Sequence, residues 1–243
     1  MSGFEAVVPR RQAMRSPQPK QLSDLVGRSR YLDRLANSRE GEPMMTATQR
    51  YALSFTSGSL LAQEALIAVP IYLREGDWAT TRARIKDENL LQTRVERSNT
   101  RMLGALIPRL QVLTEAELQI IADGTSTERG HLMWVAACRQ YDLIGEFAEE
   151  VLRERFLTLA GTVTYEEFDS FYRSKAIWHD ELDSITDTSF KKIRQVVFKM
   201  MVDAGLLTKQ DLIEPTSLSA RVADCLSRRT PSDVRFFPTK AAL

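Results

Sequence analysis

Histidine and cysteine are nearly missing from this chain, which has two of each in 243 residues. Neither His131 nor His179 has a second histidine or a cysteine at the short spacing of a zinc-ligand pair, so the usual zinc patterns are excluded. Cys138 and Cys225 lie far apart inside apolar helical patterns and read as reduced core residues, not a disulfide. Glycine is scarce and scattered. Gly58 and Gly124 stand alone, so no glycine-rich loop is present to cradle a phosphate. Long apolar runs are missing too. The stretch from Leu60 to Leu73 is the most membrane-like, but Gln63, Glu64 and Pro70 interrupt it, and it falls short of the roughly 20 residues a bilayer requires. No apolar segment of signal-peptide type follows Arg10, Arg11 and Arg15. The expectation is a cytoplasmic protein with no membrane partner and no cofactor. A net charge also fails to develop: 33 basic residues face 32 acidic ones, so any nucleic-acid surface must be a local patch.

What the chain does contain is helix. A hydrophobic fraction of 43% suffices for a real core, in one large domain or two small ones. Apolar residues recur at three- and four-residue steps, and a period-two strand pattern is not sustained outside one short stretch near residue 210. The expected class is all-α, a multi-helix bundle with at most one or two short hairpins. Residues 1–50 read as a basic extension, a flexible arm over 1–20 and a short helix marked by Leu22, Leu25, Val26, Leu32 and Leu35. A helical subdomain over 51–125 and another over 126–243 follow.

Local signals place the helices. Ser57 caps one that carries Leu60, Leu61, Ala65 and Ile67, and Pro70 kinks or ends it. Asp77 caps another from Trp78 to about Asp87, and Ser98 opens a third that runs to Leu113. Thr114 with Glu117 forms a capping box for a helix that stops at Gly124. Helices over 127–140 and 142–157 come next, the second with Glu146, Glu149, Glu150 and Glu154 on a solvated face offset by Arg153 and Arg155. Thr164 with Glu167 is a second capping box.

The most informative stretch runs from Ser184 to Leu207. Thr186, Asp187, Thr188 and Ser189 can cap a helix, and Ala204-Gly205 can end it. Phe190, Ile193, Val197, Met200 and Met201 share one face. The opposite face carries Thr188, Lys191, Lys192, Gln195 and Lys199: cations for phosphates, hydrogen-bonding groups for base edges or sugar. Leu206-Leu207, the polar run over 208–211 and Leu212-Ile213 then suggest a short hairpin, the order in which a wing follows a recognition helix. An ordinary amphipathic helix with a solvated lysine face shows the same pattern. A second basic cluster comprises Arg82, Arg84, Lys86, Arg94, Arg97 and Arg101, in a loosely helix-turn-helix outline. Trp178-His179-Asp180-Glu181 sets an imidazole beside carboxylates, but no nucleophile accompanies it. It reads as a helix-end cluster in which Trp178 packs and Asp180 caps the next turn.

The order of these pieces resembles a known family. The run over 54–61, Gly76-Asp77-Trp78 and the run over 88–94 are similar to segments of BrxA proteins of BREX bacteriophage-exclusion systems. The likeness continues through the runs over 134–139, 147–154, 178–182 and 191–196 to Ala204-Gly205-Leu206-Leu207, covering roughly residues 51–237. The resemblance implies a small, non-enzymatic helical protein that binds double-stranded DNA in a multi-gene phage-defence system, with a shape like that of the RNA-binding antitermination factor NusB. Two readings follow. One is a DNA-binding accessory factor that uses Lys191, Lys192, Gln195 and Lys199 with Thr188, and Arg82, Arg84, Arg94, Arg97 and Arg101 as a second set. The other is a scaffold that joins other BREX proteins, and an RNA-binding role is a variant of the first. Oligomeric state is not legible from these residues.

Overall fold

The helix starts show how closely local chemistry sets this architecture. In the computed structural model, which describes residues 50–55 and 59–240, the Asp77 carboxylate accepts the Thr80 N–H at 2.6 Å and opens the second helix. The expected arm over 1–20, the helix over 22–35 and the Ser57 cap lie outside the described residues. The described helices are α1 (Ala62–Glu75), α2 (Trp78–Asp87), α3 (Glu96–Gln111), α4 (Glu115–Asp123) and α5 (Ser126–Gln140). They continue with α6 (Asp142–Phe147), a π-helical turn (Ala148–Arg153), α7 (Glu154–Leu157), α8 (Tyr165–Ala176), α9 (Asp180–Asp183), α10 (Asp187–Asp203) and α11 (Ala220–Ser227). A 3₁₀ turn (Asp233–Phe236) follows. The fold is all-α, and residues 48–243 form one compact unit.

Capping boxes at Thr114/Glu117 and Thr164/Glu167 form as expected. Three expectations need correction. Pro70 does not end α1 and restart the chain: the helix runs on to Glu75. The ring removes one backbone bond, and because Pro70 is exposed, water can satisfy the freed carbonyl. Ser98 is not a cap, because Val95 is already extended (φ −131°, ψ 128°) and the helix starts at Glu96. Asn89 sets that entry, its side chain bonding both the N–H and the carbonyl of Thr93 at 3.1 Å. Finally, Arg153 does not offset the glutamate face. It is buried and donates to the Val234 carbonyl at 3.2 Å.

The core is built around α5, whose residues Glu128 to Cys138 are all buried. A helix apolar on every side needs neighbours on every side, and α1, α3, α4, α6 and α10 supply them. Trp134 is fully buried, with its indole N–H satisfied by the Phe236 carbonyl at 2.9 Å. Gly145 lets α6 return close against α5: a Cβ there would sit 2.9 Å from the Cys138 carbonyl oxygen. Arg139, at the end of α5, reaches Glu117 of α4 at 2.6 and 2.8 Å and Asp233 at 2.9 Å, in a site with almost no solvent access. Both cysteines are free thiols.

Candidate nucleic-acid interface

From residue 142 onward the chain lays down a recurrent arrangement. The helical run over 142–157 leads into a short extended segment over 161–163, then α8, α9 and α10 follow, and two further extended segments close the unit over 206–208 and 212–214. Thr162 bridges Leu212 and Leu207 bridges Ile213, both antiparallel. Backbone bonds flank these bridges: Ile213 N–H to the Gly161 carbonyl at 2.9 Å, Val163 N–H to Asp211 at 3.1 Å, Thr208 N–H to Leu212 at 2.9 Å and Glu214 N–H to Leu206 at 2.9 Å. The turn between the last two segments is tight. The Thr208 hydroxyl accepts the N–H groups of Gln210 and Leu212 at 3.2 Å each, and Asp211 takes a left-handed φ of 61°. Lys209 and Gln210 stand exposed at its tip.

α10 begins where the sequence suggests. The Thr186 hydroxyl accepts the Ser189 N–H at 3.2 Å, and Gly205, at φ 72°, ends the helix just beyond Ala204. Ile193, Val196, Val197, Phe198, Met200 and Met201 are buried, with Phe190 partly so. The inward stripe is thus wider than the expected set by Val196 and Phe198. Phe198 meets Tyr165 edge-on with ring centres 4.6 Å apart, and Phe190 meets Tyr172 at 4.8 Å. Arg194 adds a polar clamp: one guanidinium nitrogen reaches both Asp169 oxygens at 2.6 and 2.7 Å, and the group lies 4.4 Å from the Tyr165 ring centre. These contacts fasten α10 to α8, so the outer face is presented on a rigid support.

Thr188, Lys191, Lys192, Gln195 and Lys199 are all exposed on that outer face. Lys192 donates to the Gln195 side chain at 3.3 Å, and Lys199 pairs with Asp203 at 3.1 Å, an exposed pair worth little against a competing phosphate. Lys191 has no ion-pair partner among the described residues. The stripe therefore offers its charge outward.

The earlier basic cluster divides in two. Arg84 is tied to Glu75 and Glu88 at 2.9 and 3.0 Å, and Lys86 to Glu96 at 2.9 Å. Hydrogen bonding and attraction between Lys86 and Glu96 raise the lysine pKa and lower the carboxylate pKa. Arg82 lies along α3, with its guanidinium 3.5 Å from the Leu103 carbonyl. Arg94, Arg97 and Arg101 are exposed and have no ion-pair partner among the described residues.

The sequence profile of the family described as BrxA matches residues 49–230, about three quarters of the chain. The chain belongs to the BrxA family. A BREX protein BrxA from Escherichia coli O9:H4 (strain HS) is 24% identical over 168 residues, covering 69% of this chain and 79% of that protein. One from Paramagnetospirillum magneticum (strain ATCC 700264 / AMB-1) is 25% identical over 166 residues, covering 67% and 81%. Among solved structures, an uncharacterized protein from Magnetospirillum magneticum superposes with a TM-score of 0.64 at 21% identity. That alignment covers 79% of this chain and all of the other, and establishes shared fold.

In this BrxA-family chain the histidine–carboxylate motif is arranged differently from the sequence expectation. Trp178 does not pack: it is 75% exposed, with Ile177 beside it at 73%. Asp180 does not cap. It is the first residue of α9, and His179 stands at the cap position without a side-chain bond to the helix backbone. The buried member of the motif is His179, whose ring lies tilted against that of Tyr51 with centres 4.2 Å apart and whose Nδ1 is 3.1 Å from Glu181. Glu181 also accepts the Tyr51 N–H at 2.6 Å, while the Tyr51 hydroxyl donates to Glu146 at 2.6 Å. Burial, then the Glu146 carboxylate, push the Tyr51 phenol well above its ordinary range. These groups join residue 51 to the α8–α9 turn. Among the described residues no group of three or more His, Cys, Asp and Glu is placed to hold a metal, and no helix is long and apolar enough to cross a membrane.

The sequence pattern singles out the outer face of α10 but gives no role to Lys209 and Gln210, which stand at the exposed tip of the following turn. It also missed Arg194, whose lysine-rich surroundings hide a structural role that only Asp169, 25 positions upstream, reveals.

Proposed function

We propose that this chain is a non-enzymatic accessory protein of a BREX phage-defence system that binds double-stranded DNA through the outer face of α10 and the turn over 208–211. Membership of the BrxA family supports the defence assignment, since the relatives above carry the BREX name. The observation that carries the DNA reading is the joining of two features in one unit. An exposed stripe of Lys191, Lys192, Gln195 and Lys199 lies on a helix clamped from behind. A tight turn tipped by Lys209 follows that helix directly. A helical run, an extended segment, the helices α8 and α10 with the single turn of α9 between them, and a closing pair of extended segments follow the order of a winged helix-turn-helix. In such units a helix enters the major groove while neighbouring elements touch the backbone. Lysines at positions 191, 192, 199 and 209 would meet phosphates, and Thr188 and Gln195 could reach base edges or sugar. In this reading the activity needs no cofactor and resides in the cytoplasm.

The scaffold reading draws on Ile177 and Trp178, an exposed apolar pair of the kind found at protein interfaces. Competition separates the possibilities. A labelled 30-base-pair duplex bound to the protein is challenged with unlabelled duplex, single strand and RNA hairpin. Duplex competing at least tenfold better than the others is the expected result. RNA competing best would move the function toward a NusB-like role, and no retention of any nucleic acid would favour the scaffold.

A further inference from the structure

The corner between α8 and α9 leaves two large apolar side chains in water: Ile177 is 73% exposed and Trp178 75%. The corner is well fastened all the same. His179 packs inward against Tyr51, and the Tyr172 hydroxyl donates to the Leu182 carbonyl at 2.8 Å. The Trp178 N–H donates to the Lys175 carbonyl at 3.0 Å. With the imidazole in the inner position, Trp178 is held outside. Tryptophan fixed outward beside a second apolar side chain is a common anchor of protein interfaces.

A groove leads to this pair. It is lined by Val151 of the π-helical turn and Phe171 of α8, with Glu150, Ser170 and Ser174. Its volume of about 350 Å³ is at the small end for ligand clefts and suits individual side chains of a partner. Ser170, Ser174 and Ile177 follow one another at four- and three-residue steps, and Ile177 keeps helical angles (φ −57°, ψ −31°). Groove and exposed pair therefore share one face of α8. π-Helical geometry of the kind seen over 148–153 is frequent at functional sites.

Charge decides what kind of partner fits. Residues 165–187 carry seven acids and two cations, whereas residues 188–209 carry five cations and one acid. Three of those seven acids are spent within the fold: Glu167 on Arg155, Asp169 on Arg194, and Glu181 on Arg50 and His179. Of the two cations, Lys175 is held by Glu146 and Glu150 at 2.7 Å each. Asp180 and Asp183, just after Trp178, are exposed and have no cationic partner among the described residues. A surface of this sign repels nucleic acid and anionic lipid and attracts lysine and arginine.

We propose that the α8–α9 corner docks a basic amphipathic segment of another protein. The segment's apolar residues cover Ile177 and Trp178 and enter the groove, and its lysines or arginines meet Asp180 and Asp183. This docking rests on the scaffold reading above and gives it a partner chemistry. Duplex binding neither requires nor excludes it.

The test uses the full chain and two labelled synthetic helical peptides of about 18 residues, five turns of helix. One is built of leucine and lysine, the other of leucine and glutamate at the same spacing. Peptide anisotropy reads binding, acrylamide quenching of tryptophan fluorescence reads cover, and thermal melting reads folding. In the free protein acrylamide should quench a component that is missing from Trp178→Phe. The leucine–lysine peptide should bind and shield that component, and the leucine–glutamate peptide should bind at least about tenfold more weakly. Trp178→Ala should melt within about 2 °C of the unaltered protein and lose at least about tenfold in leucine–lysine affinity. Asp180→Asn/Asp183→Asn should lose at least about threefold and respond less to salt. Undiminished binding by Trp178→Ala, or no binding of the leucine–lysine peptide, would overturn the proposal. Equal binding of both peptides would leave a scaffold but remove its basic partner. Trp178 already shielded in the free protein would also overturn it, since another part of the chain or a second copy would then cover the corner, and sedimentation tells those two apart.

Discussion

Arg139→Met should lower stability by about 3–5 kcal/mol, the usual cost of leaving a buried charge without its partner. For a domain of this size that corresponds to a fall in melting temperature of roughly 6–20 °C. The substitution strands two carboxylates. Glu117 and Asp233 both lie within hydrogen-bond distance of the Arg139 guanidinium, and both are nearly inaccessible to solvent. Replacing Glu117 with Gln as well should regain part of the loss, since one of the uncompensated charges goes with it. The same pair predicts an acid sensitivity. Burial works to raise the Glu117 pKa, but the Arg139 guanidinium and the Thr114 donors outweigh it and hold the carboxyl below its usual range. A carboxyl with a depressed folded-state pKa contributes stability above its unfolded value, near 4.3, and loses it as pH falls through the folded value. Melting curves from pH 7 down to pH 3 should therefore show the gap between Glu117→Gln and the unaltered protein narrowing below about pH 4. A gap constant across that range would show that the pair contributes nothing by ionisation.

The second large effect concerns binding. Lys191→Glu/Lys192→Glu should weaken duplex affinity by at least about tenfold while the melting temperature stays nearly unchanged. Both side chains are exposed, and exposed substitutions away from caps and buried networks usually stay within about 0.5 kcal/mol. Reversal removes two cations and adds two like charges beside the phosphates, a penalty felt in the complex and hardly at all in the free protein. Fluorescence anisotropy alongside circular dichroism melts separates the two effects. Equal affinity for both proteins would move the contact surface off α10.

Much of this could be read from the residues because the determining chemistry is local. A capping threonine and a glutamate three positions on, as at Thr114 and Glu117, fix a helix start within a single turn, and the exposed stripe of α10 follows from 100° periodicity alone. What escaped is set by distant partners. Ser98 looked like a cap, but the entry to α3 is fixed by Asn89 gripping Thr93 on the far side of the connector. Arg153 looked solvated, but the 3₁₀ turn over 233–236 covers it and takes its proton donor. Trp178 looked buried because tryptophan usually is, while its neighbour His179 took the inner position against Tyr51. In the earlier basic cluster, composition could not reveal that Arg84 and Lys86 are held by glutamates while Arg94, Arg97 and Arg101 are exposed with no acidic partner among the described residues.

The central claim is that the basic face of α10 binds duplex phosphates, and the salt dependence of affinity tests it most directly. Log affinity plotted against log salt concentration should be a straight line whose slope is about −0.9 times the number of phosphates neutralised. With Lys191, Lys192, Lys199 and Lys209 engaged, that slope is expected to be about −3 to −4, and Lys191→Glu/Lys192→Glu should flatten it by about 2. A slope near zero for the unaltered protein, or an unchanged slope in the variant, would contradict the account.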